Sequence, residues 1–273
     1  FKHIVPLYGR LDSKYIIESC NAGGCTNSTE LFTSQRVSQM VTSVGYLKAS
    51  NTQAGDFFGV GVGISGDGNT LAIGAPSEQS NASGIGGDEN NNSLIEAGAV
   101  YVFTRSGTTW SQEAYIKASN PGAGDSFGMK VVLSNDGDTL AVSSEWESGN
   151  APGINGNENN NSLDEAGAVY VYTRSGTTWS QEAYIKASTP GLEDAFGTSI
   201  DLSADGNTLA VGAENEDSNA TTVNGDQAND LAPDAGALFI FNRTGQTWSQ
   251  QAYIKASNAE AGDNLGGSLS LSN

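Results

Sequence analysis

The amino-acid sequence predicts an all-β protein assembled from repeated four-stranded antiparallel sheets. A Tyr-Leu/Ile-Lys-Ala-Ser motif begins at Tyr46, Tyr115, Tyr184 and Tyr253, a constant step of 69 residues. Within each step, apolar and small residues alternate in short runs, which is typical of strands that bury one face. Glycine is frequent, at 35 of 273 residues, and helical periodicity is weak. Together these observations indicate a repeat protein made of strands.

The repeat divides the chain into five parts. Three full units cover residues 46–114, 115–183 and 184–252, and a partial unit covers residues 253–273. We interpret residues 1–45 as an atypical segment, or as a degenerate unit that carries a loop between its two cysteines. No insertion or deletion separates the copies, so each unit is expected to adopt the same fold.

Four strands are predicted in each unit, and the first unit illustrates them. Residues 58–65 and 70–76 are short apolar runs on either side of an Asp-Gly turn, which is a strong hairpin signal. Residues 98–105 are almost all β-branched or aromatic, so this strand should be buried on both faces. After another turn, residues 111–119 form the fourth strand.

Sheets of this kind are expected to pack side by side around an axis, as the blades of a β-propeller do. One thin sheet cannot bury both of its faces, whereas neighbouring blades shield each other from water. The glycines then permit close approach between backbones near the axis.

Phe-Gly at residues 58–59, followed by Gly-Ala-Pro at residues 74–76, resembles the FG-GAP repeat. That motif builds the blades of the integrin α-chain propeller and of many secreted or surface bacterial proteins, and the units here resemble the bacterial type more closely. The resemblance covers residues 46–273. It weakens in later units, where Ser-Ser-Glu and Gly-Ala-Glu replace Gly-Ala-Pro and Leu265 replaces the phenylalanine. It implies an extracellular propeller, usually seven-bladed, that functions in binding or adhesion.

The number of blades has alternative interpretations. The end segments, residues 1–45 and 253–273, together approach the length of one unit, so strands from both termini would close a four-bladed ring. In that ring, residues 13–19 and 30–50 would supply later strands of the fourth blade. Alternatively, the chain is a processed form or a fragment of a larger, for example seven-bladed, propeller. A third alternative is that a neighbouring copy completes the strands, which would produce a polymer.

The charge of the chain limits its partners. The formal net charge is −19 with only 12 Lys and Arg residues, so nucleic acid is excluded as a partner and an anionic membrane surface would repel the chain. No apolar run reaches the length of a membrane span, so membrane insertion is not expected. The acidic surface serves either solubility in a salty exterior or the binding of cations.

Three acidic loops, residues 88–96, 157–165 and 226–234, are candidate calcium sites, and Ca²⁺ is the one cofactor expected. Oxygen-bearing side chains recur at the first, fifth and ninth positions, and calcium takes about six to eight oxygen ligands. The candidate ligands are Asp88, Asn90, Asn92, Glu96, Asn157, Asn159, Asn161, Glu165, Asp226, Asp230 and Asp234. Alternatively, these are solvated loops whose Asn and Gly residues favour turns. The animal FG-GAP repeat binds calcium between its first two strands, but the corresponding segments here are short and are expected to be tight turns.

Residues that recur in every unit are interpreted as structural. An aspartate two positions before each motif glycine is expected to cap a backbone turn. These aspartates are Asp56, Asp125, Asp194 and Asp263. The tryptophans Trp110, Trp179 and Trp248 are expected to pack between blades rather than to stack on sugars. Four lysines are expected on a solvent-facing outer strand, which they would protect from pairing. They are Lys48, Lys117, Lys186 and Lys255.

Two kinds of covalent modification are predicted. Cys20 and Cys25, the only cysteines, would close a small disulfide loop in an oxidising exterior, and free thiols are the alternative. Asn-x-Ser/Thr triplets offer glycosylation sites whose use depends on the host. The asparagines are Asn27, Asn81, Asn91, Asn160, Asn219 and Asn242.

No enzyme activity is expected, because the sequence has one histidine and no recognisable pairing of a nucleophile with a base. Following the resemblance, we expect an extracellular or cell-surface propeller that binds a protein or a glycan. Specificity should lie in loops that differ between units, residues 78–95 and 147–163. The alternatives are a structural subunit of an extracellular filament or matrix, built from copies of itself, and an accessory domain of a larger secreted enzyme.

Overall fold

The computed structural model describes residues 46–272 and, within the N-terminal segment, the backbone of four short strands. The chain divides into two compact units, residues 1–47 with 106–110 and residues 48–105 with 111–273. Every regular element in the described residues is a β-strand, so the all-β prediction is confirmed.

The N-terminal segment contains β1 (Lys14–Tyr15), β2 (Glu18–Asn21), β3 (Gly24–Asn27) and β4 (Leu31–Phe32). β1 pairs with β4, and β2 forms a hairpin with β3, both antiparallel. The register of the hairpin places Cys20 directly opposite Cys25. The side chains of this segment, including the two thiols and Asn27, lie outside the described residues, so the disulfide and the closing of a ring stay predictions.

Three four-stranded antiparallel sheets, which we call blades 1, 2 and 3, follow one another along the rest of the chain. Blade 1 consists of β5 (Val62–Ile64), β6 (Thr70–Ala75), β7 (Ala99–Ser106) and β8 (Thr109–Ile116). Blade 2 consists of β9 (Val131–Leu133), β10 (Thr139–Ser144), β11 (Ala168–Ser175) and β12 (Thr178–Ile185). Blade 3 consists of β13 (Ser199–Leu202), β14 (Thr208–Ala213), β15 (Ala237–Thr244) and β16 (Thr247–Ile254). In each sheet, the strands hydrogen-bond in chain order.

The first strand of blade 1 is shorter than predicted, because β5 covers Val62–Ile64 rather than residues 58–65. Before it, the Gly59 N–H donates to the Gly74 carbonyl at 2.9 Å, so the backbone still follows β6. Positive φ angles at Phe57 and Gly59, 56° and 103°, bend this stretch out of the extended conformation.

The Asp-Gly segments form tight turns, as predicted. In blade 1, the Asp67 carboxylate accepts the Asn69 N–H at 2.9 Å and the Ser65 hydroxyl at 2.7 Å. These hydrogen bonds lower the pKa of Asp67 to about 2. Gly68 then takes a φ of 67°, which a glycine adopts at no steric cost.

A ladder of aromatic rings forms the interior of each blade. In blade 2, Phe127 packs edge-on against Tyr170 with ring centroids 5.3 Å apart, and Tyr170 packs against Tyr184 at 5.2 Å. The strand that carries Tyr170 is buried on both faces, as predicted, because residues 168–172 are 0% exposed.

Motif glycines meet at the junctions between blades. A Cβ atom on Gly74 of blade 1 would lie 1.9 Å from the carbonyl oxygen of Gly128, which precedes blade 2. Gly212 and Gly266 have the same relationship at 2.0 Å. Backbone packs directly on backbone there, which leaves no space for a side chain.

The predicted packing of tryptophan between blades is confirmed for Trp179 and Trp248, which are each 4% exposed. The Trp179 indole N–H donates to Glu113 of blade 1 at 2.9 Å. Its ring belongs to the same apolar cluster as Val102 and Ile116 of blade 1. At the junction of blades 1 and 2, Trp179 therefore combines apolar burial with a polar contact, whereas the buried indole N–H of Trp248 has no hydrogen-bond partner among the described residues.

The prediction of outer-strand lysines is wrong for Lys117, Lys186 and Lys255, which are at most 5% exposed. Each follows the last residue of the fourth strand, where strand alternation no longer determines the direction of the side chain. The ammonium groups turn inward and form ion pairs with buried glutamates, which compensate their charge. Lys48 is exposed, as expected.

Candidate functional site

A shallow apolar groove of about 350 Å³ lies at the junction of blades 1 and 2. Its lining residues are Phe57, Val60, Pro76, Ser77, Glu96, Ser126, Met129 and Trp146. Phe57 is 64% exposed and Trp146 is 40% exposed. Adjacent apolar side chains with this exposure are typical of interaction sites rather than of ordinary surface.

The aromatic residues of the groove depart from the pattern of the repeat. Phe57 occupies a position that holds Ser, Ala and Asn in the other units, and Trp146 occupies one that holds Ser and Asn. Small or polar residues satisfy the fold at both positions in the other units. Folding therefore does not require the aromatic side chains.

The backbone at Phe57 is strained, with a φ of 56°. A bulky residue in this left-handed region costs on the order of 1 kcal/mol or more. The equivalent Asn264 shares the conformation, which asparagine tolerates well. Ser126 and Ala195 share it too, at 54° and 55°, so the left-handed conformation belongs to the repeat, and phenylalanine is its bulkiest occupant.

The three acidic loops begin with local turns. Asp88 accepts the Asn90 N–H at 3.0 Å, and Asp226 accepts the Ala228 N–H at 3.0 Å. In the second loop, Asn157 accepts the Asn159 N–H at 3.2 Å. The first candidate ligand of each loop therefore already bonds to its own backbone.

Within the described residues, no three His, Cys, Asp or Glu side chains gather in a way that would hold a metal ion. Glu96 lines the apolar groove, whereas Asp230 lines a different cleft with Asp194 and Asp217. Calcium binding stays a prediction for these loops. It is tested by the melting temperature in calcium and in chelator, where an unchanged value would contradict it.

The four recurring aspartates cap backbone turns, as expected. Each accepts the N–H of the residue three positions earlier, at 2.6 Å for Asp125 and Asp194. Burial raises the pKa of both of these carboxyls to about 7. They serve the fold, and their protonation links its stability to pH.

The described glycosylation candidates differ in access. Asn81 and Asn219 are exposed, and Asn91 and Asn160 are partly exposed in loops. Asn242 lies within β15 and hydrogen-bonds to Gln251, which makes it the poorest acceptor of the five. Whether any of these asparagines carries a glycan stays a prediction.

The loops in which specificity is expected, residues 78–95 and 147–163, contain none of Phe57, Met129 and Trp146. A signal for these residues was present, because a position-by-position comparison of the units reveals aromatic residues where the other copies have small ones.

Three sheets related by a constant sequence step, with backbone-to-backbone junctions, define a repeat protein made of β-propeller blades. The sequence profile of the FG-GAP repeat matches residues 41–103, 110–172 and 179–241, which is more than half of the chain. The protein therefore belongs to the FG-GAP repeat family. The resemblance carried by residues 58–59 and 74–76 is confirmed.

No curated protein matches the chain. Sqt1 of Saccharomyces cerevisiae is similar in structure with a TM-score of 0.41 and 10% identity, over 77% of this chain and 38% of Sqt1. A hypothetical selenium-binding protein from Sulfolobus tokodaii is similar with a TM-score of 0.40 and 11% identity, over 86% of this chain and 45% of that protein. The chain thus spans less than half of either one. In the described part of the chain, no helix is long and apolar enough to cross a membrane.

Proposed function

We propose that the protein is a non-enzymatic extracellular or cell-surface propeller that binds another protein through the groove at the junction of blades 1 and 2. One observation carries the proposal: Phe57 and Trp146 are exposed together at positions where the other units carry small or polar residues. Aromatic side chains dominate the energetics of protein interfaces, because they bury a large area at a small entropic cost.

The chemistry of the groove indicates the kind of partner. Val60, Pro76 and Met129 extend the apolar surface, which suits aliphatic or aromatic side chains better than a sugar with many hydroxyls. Glu96 also lines the groove, and the chain has a net charge of −19. Charge complementarity therefore favours a polypeptide segment that carries Lys or Arg beside apolar residues.

Selection from a random peptide library displayed on phage tests the proposal. The expected result is a set of peptides that combine apolar and basic residues and that bind the full chain. Phe57→Ser and Trp146→Ser copy residues found in other units, so both variants should fold. Each should weaken binding of a selected peptide at least about tenfold.

A matched control is Val223→Ser, which changes a side chain that is 60% exposed and does not line the groove. It should leave peptide binding unchanged. Equal losses in Val223→Ser and Phe57→Ser, or selected peptides without basic or apolar preference, would contradict the proposal. Recognition of a glycan array with no peptide selected would assign the groove to sugars instead.

A structural subunit is the second candidate function, and the first strand of blade 1 favours it. Val62 and Ile64 are 56% and 57% exposed, whereas Val131 and Ile200, which are the equivalents of Val62, are at most 7% exposed because a preceding blade covers them. A second copy of the chain would cover this face. Sedimentation velocity discriminates between the two candidate functions. Large, concentration-dependent species that disappear in the Val62→Ser variant would support the filament, and a monomer at all concentrations would oppose it.

A further inference from the structure

The same buried ion pair recurs in all three blades. The lysine Nζ lies 2.8 Å from the glutamate Oε2 in the pair Lys117–Glu78, and 2.7 Å in Lys186–Glu147 and Lys255–Glu216. All six side chains are at most 4% exposed. Fully desolvated charges are expensive, so an arrangement kept in every blade requires an explanation.

In blades 1 and 2, the same carboxylate also holds a carboxamide. Glu78 Oε1 accepts a hydrogen bond from Nδ2 of Asn51 at 3.0 Å, while Glu78 Oε2 accepts one from Nζ of Lys117. Glu147 bridges Asn120 and Lys186 in the same way, at 3.0 and 2.7 Å. One carboxylate thus connects an amine to a side-chain amide.

The amide oxygen has its own donor. The Tyr170 hydroxyl donates to Asn120 Oδ1 at 2.6 Å, and the Tyr101 hydroxyl donates to Asn51 Oδ1. Burial raises the pKa of both tyrosines, so each phenol stays protonated and remains a donor. A buried donor aimed at a carbonyl oxygen stabilises negative charge that develops there during attack on the carbon.

The amine is prepared as a nucleophile. Burial lowers the pKa of Lys117 and of Lys186, although the paired glutamates oppose this effect. The neutral amine, which is the reactive form, is therefore more accessible than in water. Each of these two blades thus places a buried amine, a buried carboxylate and a carboxamide that accepts a tyrosine hydroxyl in one cluster.

We propose that Lys117 with Asn51, and Lys186 with Asn120, form intramolecular isopeptide bonds, with Glu78 and Glu147 transferring the protons. The glutamate takes a proton from the lysine ammonium, and the neutral Nζ attacks the asparagine Cγ. The tyrosine hydroxyl stabilises the oxyanion. The glutamate returns the proton to Nδ2, the Cγ–Nδ2 bond breaks, and ammonia leaves. The glutamate then removes the remaining extra proton from Nζ and passes it to the ammonia. The products are an ammonium ion and a side-chain amide.

Blade 3 is a natural control within the same chain. Thr189 occupies the position of the asparagine, and Phe239 occupies the position of the tyrosine. The Lys255–Glu216 ion pair persists, and Glu216 Oε1 instead accepts the Tyr253 hydroxyl at 2.7 Å. The amide and its hydroxyl donor are lost together, so the proposal predicts bonds in blades 1 and 2 and none in blade 3.

These bonds would extend the proposed function. Each would connect the segment before the first strand of a blade to the end of its fourth strand. A blade closed in this way cannot be unfolded from its outer edge without breaking a covalent bond. Such a bond suits a protein that is exposed to mechanical force or to proteases.

Mass spectrometry of the reduced, full-length protein tests the proposal. The expected intact mass is below that of the sequence by two molecules of ammonia, about 17 Da each. Tandem spectra of a protease digest should contain branched peptides that join Lys117 to Asn51 and Lys186 to Asn120. An intact mass equal to that of the sequence, in protein that is folded by circular dichroism, would overturn the proposal.

Variants separate reaction from mere packing. Glu78→Gln should abolish only the Lys117–Asn51 branched peptide, and Glu147→Gln only the other. Glu216→Gln should leave both, although it breaks an equivalent buried ion pair. If Glu78→Gln fails to fold, Tyr101→Phe keeps the ion pair and should slow bond formation in blade 1 alone. Unchanged branched peptides in both Glu78→Gln and Tyr101→Phe would show that these residues are not the catalytic groups.

Discussion

Arg174 of blade 2 reaches back to Glu113 of blade 1, with its Nη1 atom 3.1 Å from the carboxylate. The same guanidinium donates to Thr70 of blade 1 and to Asp138 of its own blade, and it lies 5.3 Å over the ring of Trp179. The planar guanidinium group has several N–H donors and can make all these contacts at once, whereas a lysine ammonium cannot. Arg243 repeats the arrangement at the junction of blades 2 and 3.

Replacing Arg174 with Lys should destabilise the protein by about 1–2 kcal/mol, because the charge remains while the guanidinium hydrogen bonds and the stacking on Trp179 are lost. The urea midpoint measures this effect. The matched control is Asp138→Asn, since Arg243 already uses Asn207 at that position and Asp138 is half exposed. The control should change stability by no more than about 0.5 kcal/mol. Equal effects of the two substitutions would mean that the inter-blade contacts contribute nothing.

Gly74→Ala should cost about 3 kcal/mol or more, because the new methyl group would overlap the Gly128 carbonyl and force two blades apart. Blade 2 has Ser143 at the equivalent position, where a Cβ atom is already accommodated. Ser143→Ala therefore serves as the control and should lose about 1 kcal/mol, for the hydrogen bond from the Lys130 N–H. Similar urea midpoints for the two variants would refute the steric explanation.

Blade architecture was predictable because its signals are local: strand alternation, Asp-Gly turns and a constant spacing of motifs. The burial of Lys117 was not, because its direction depends on Glu78, 39 residues away and outside any strand pattern. The groove was not predictable either, because Phe57 and Trp146 come together only when two blades pack against each other. Interactions between distant segments thus account for what the patterns missed.

Stability should fall as the pH rises from about 4 to 7 through Asp125 and Asp194. Burial raises both pKa values to about 7 from an ordinary value of 3.8, so the folded state keeps protons that the unfolded chain releases. The stabilisation is complete below the unfolded pKa and is lost as the pH passes through the folded pKa. Asp125→Asn should reduce the slope of unfolding free energy against pH by at most about 1.4 kcal/mol per pH unit.

Urea titrations across this pH range measure that slope. Asp67→Asn is the control of opposite sign, because hydrogen bonds lower the pKa of Asp67 to about 2 and its contribution disappears only as the pH falls below about 4. An Asp125→Asn variant with the slope of the parent protein would show that Asp125 ionises normally.

Restoring the missing hydrogen bond in blade 3 should require two substitutions together. Phe239→Tyr alone places a hydroxyl in a fully buried site opposite Thr189, which is shorter than asparagine and has no carboxamide oxygen to accept it. An unpaired buried hydroxyl costs about 1–3 kcal/mol. Thr189→Asn supplies the carboxamide that accepts the Tyr170 hydroxyl in blade 2, so the double variant should recover most of that loss. A double-mutant cycle on urea unfolding, made with protein whose intact mass shows no ammonia lost from blade 3, should give a coupling energy of about 1–2 kcal/mol, and strictly additive effects would mean that Tyr and Asn recur together for another reason.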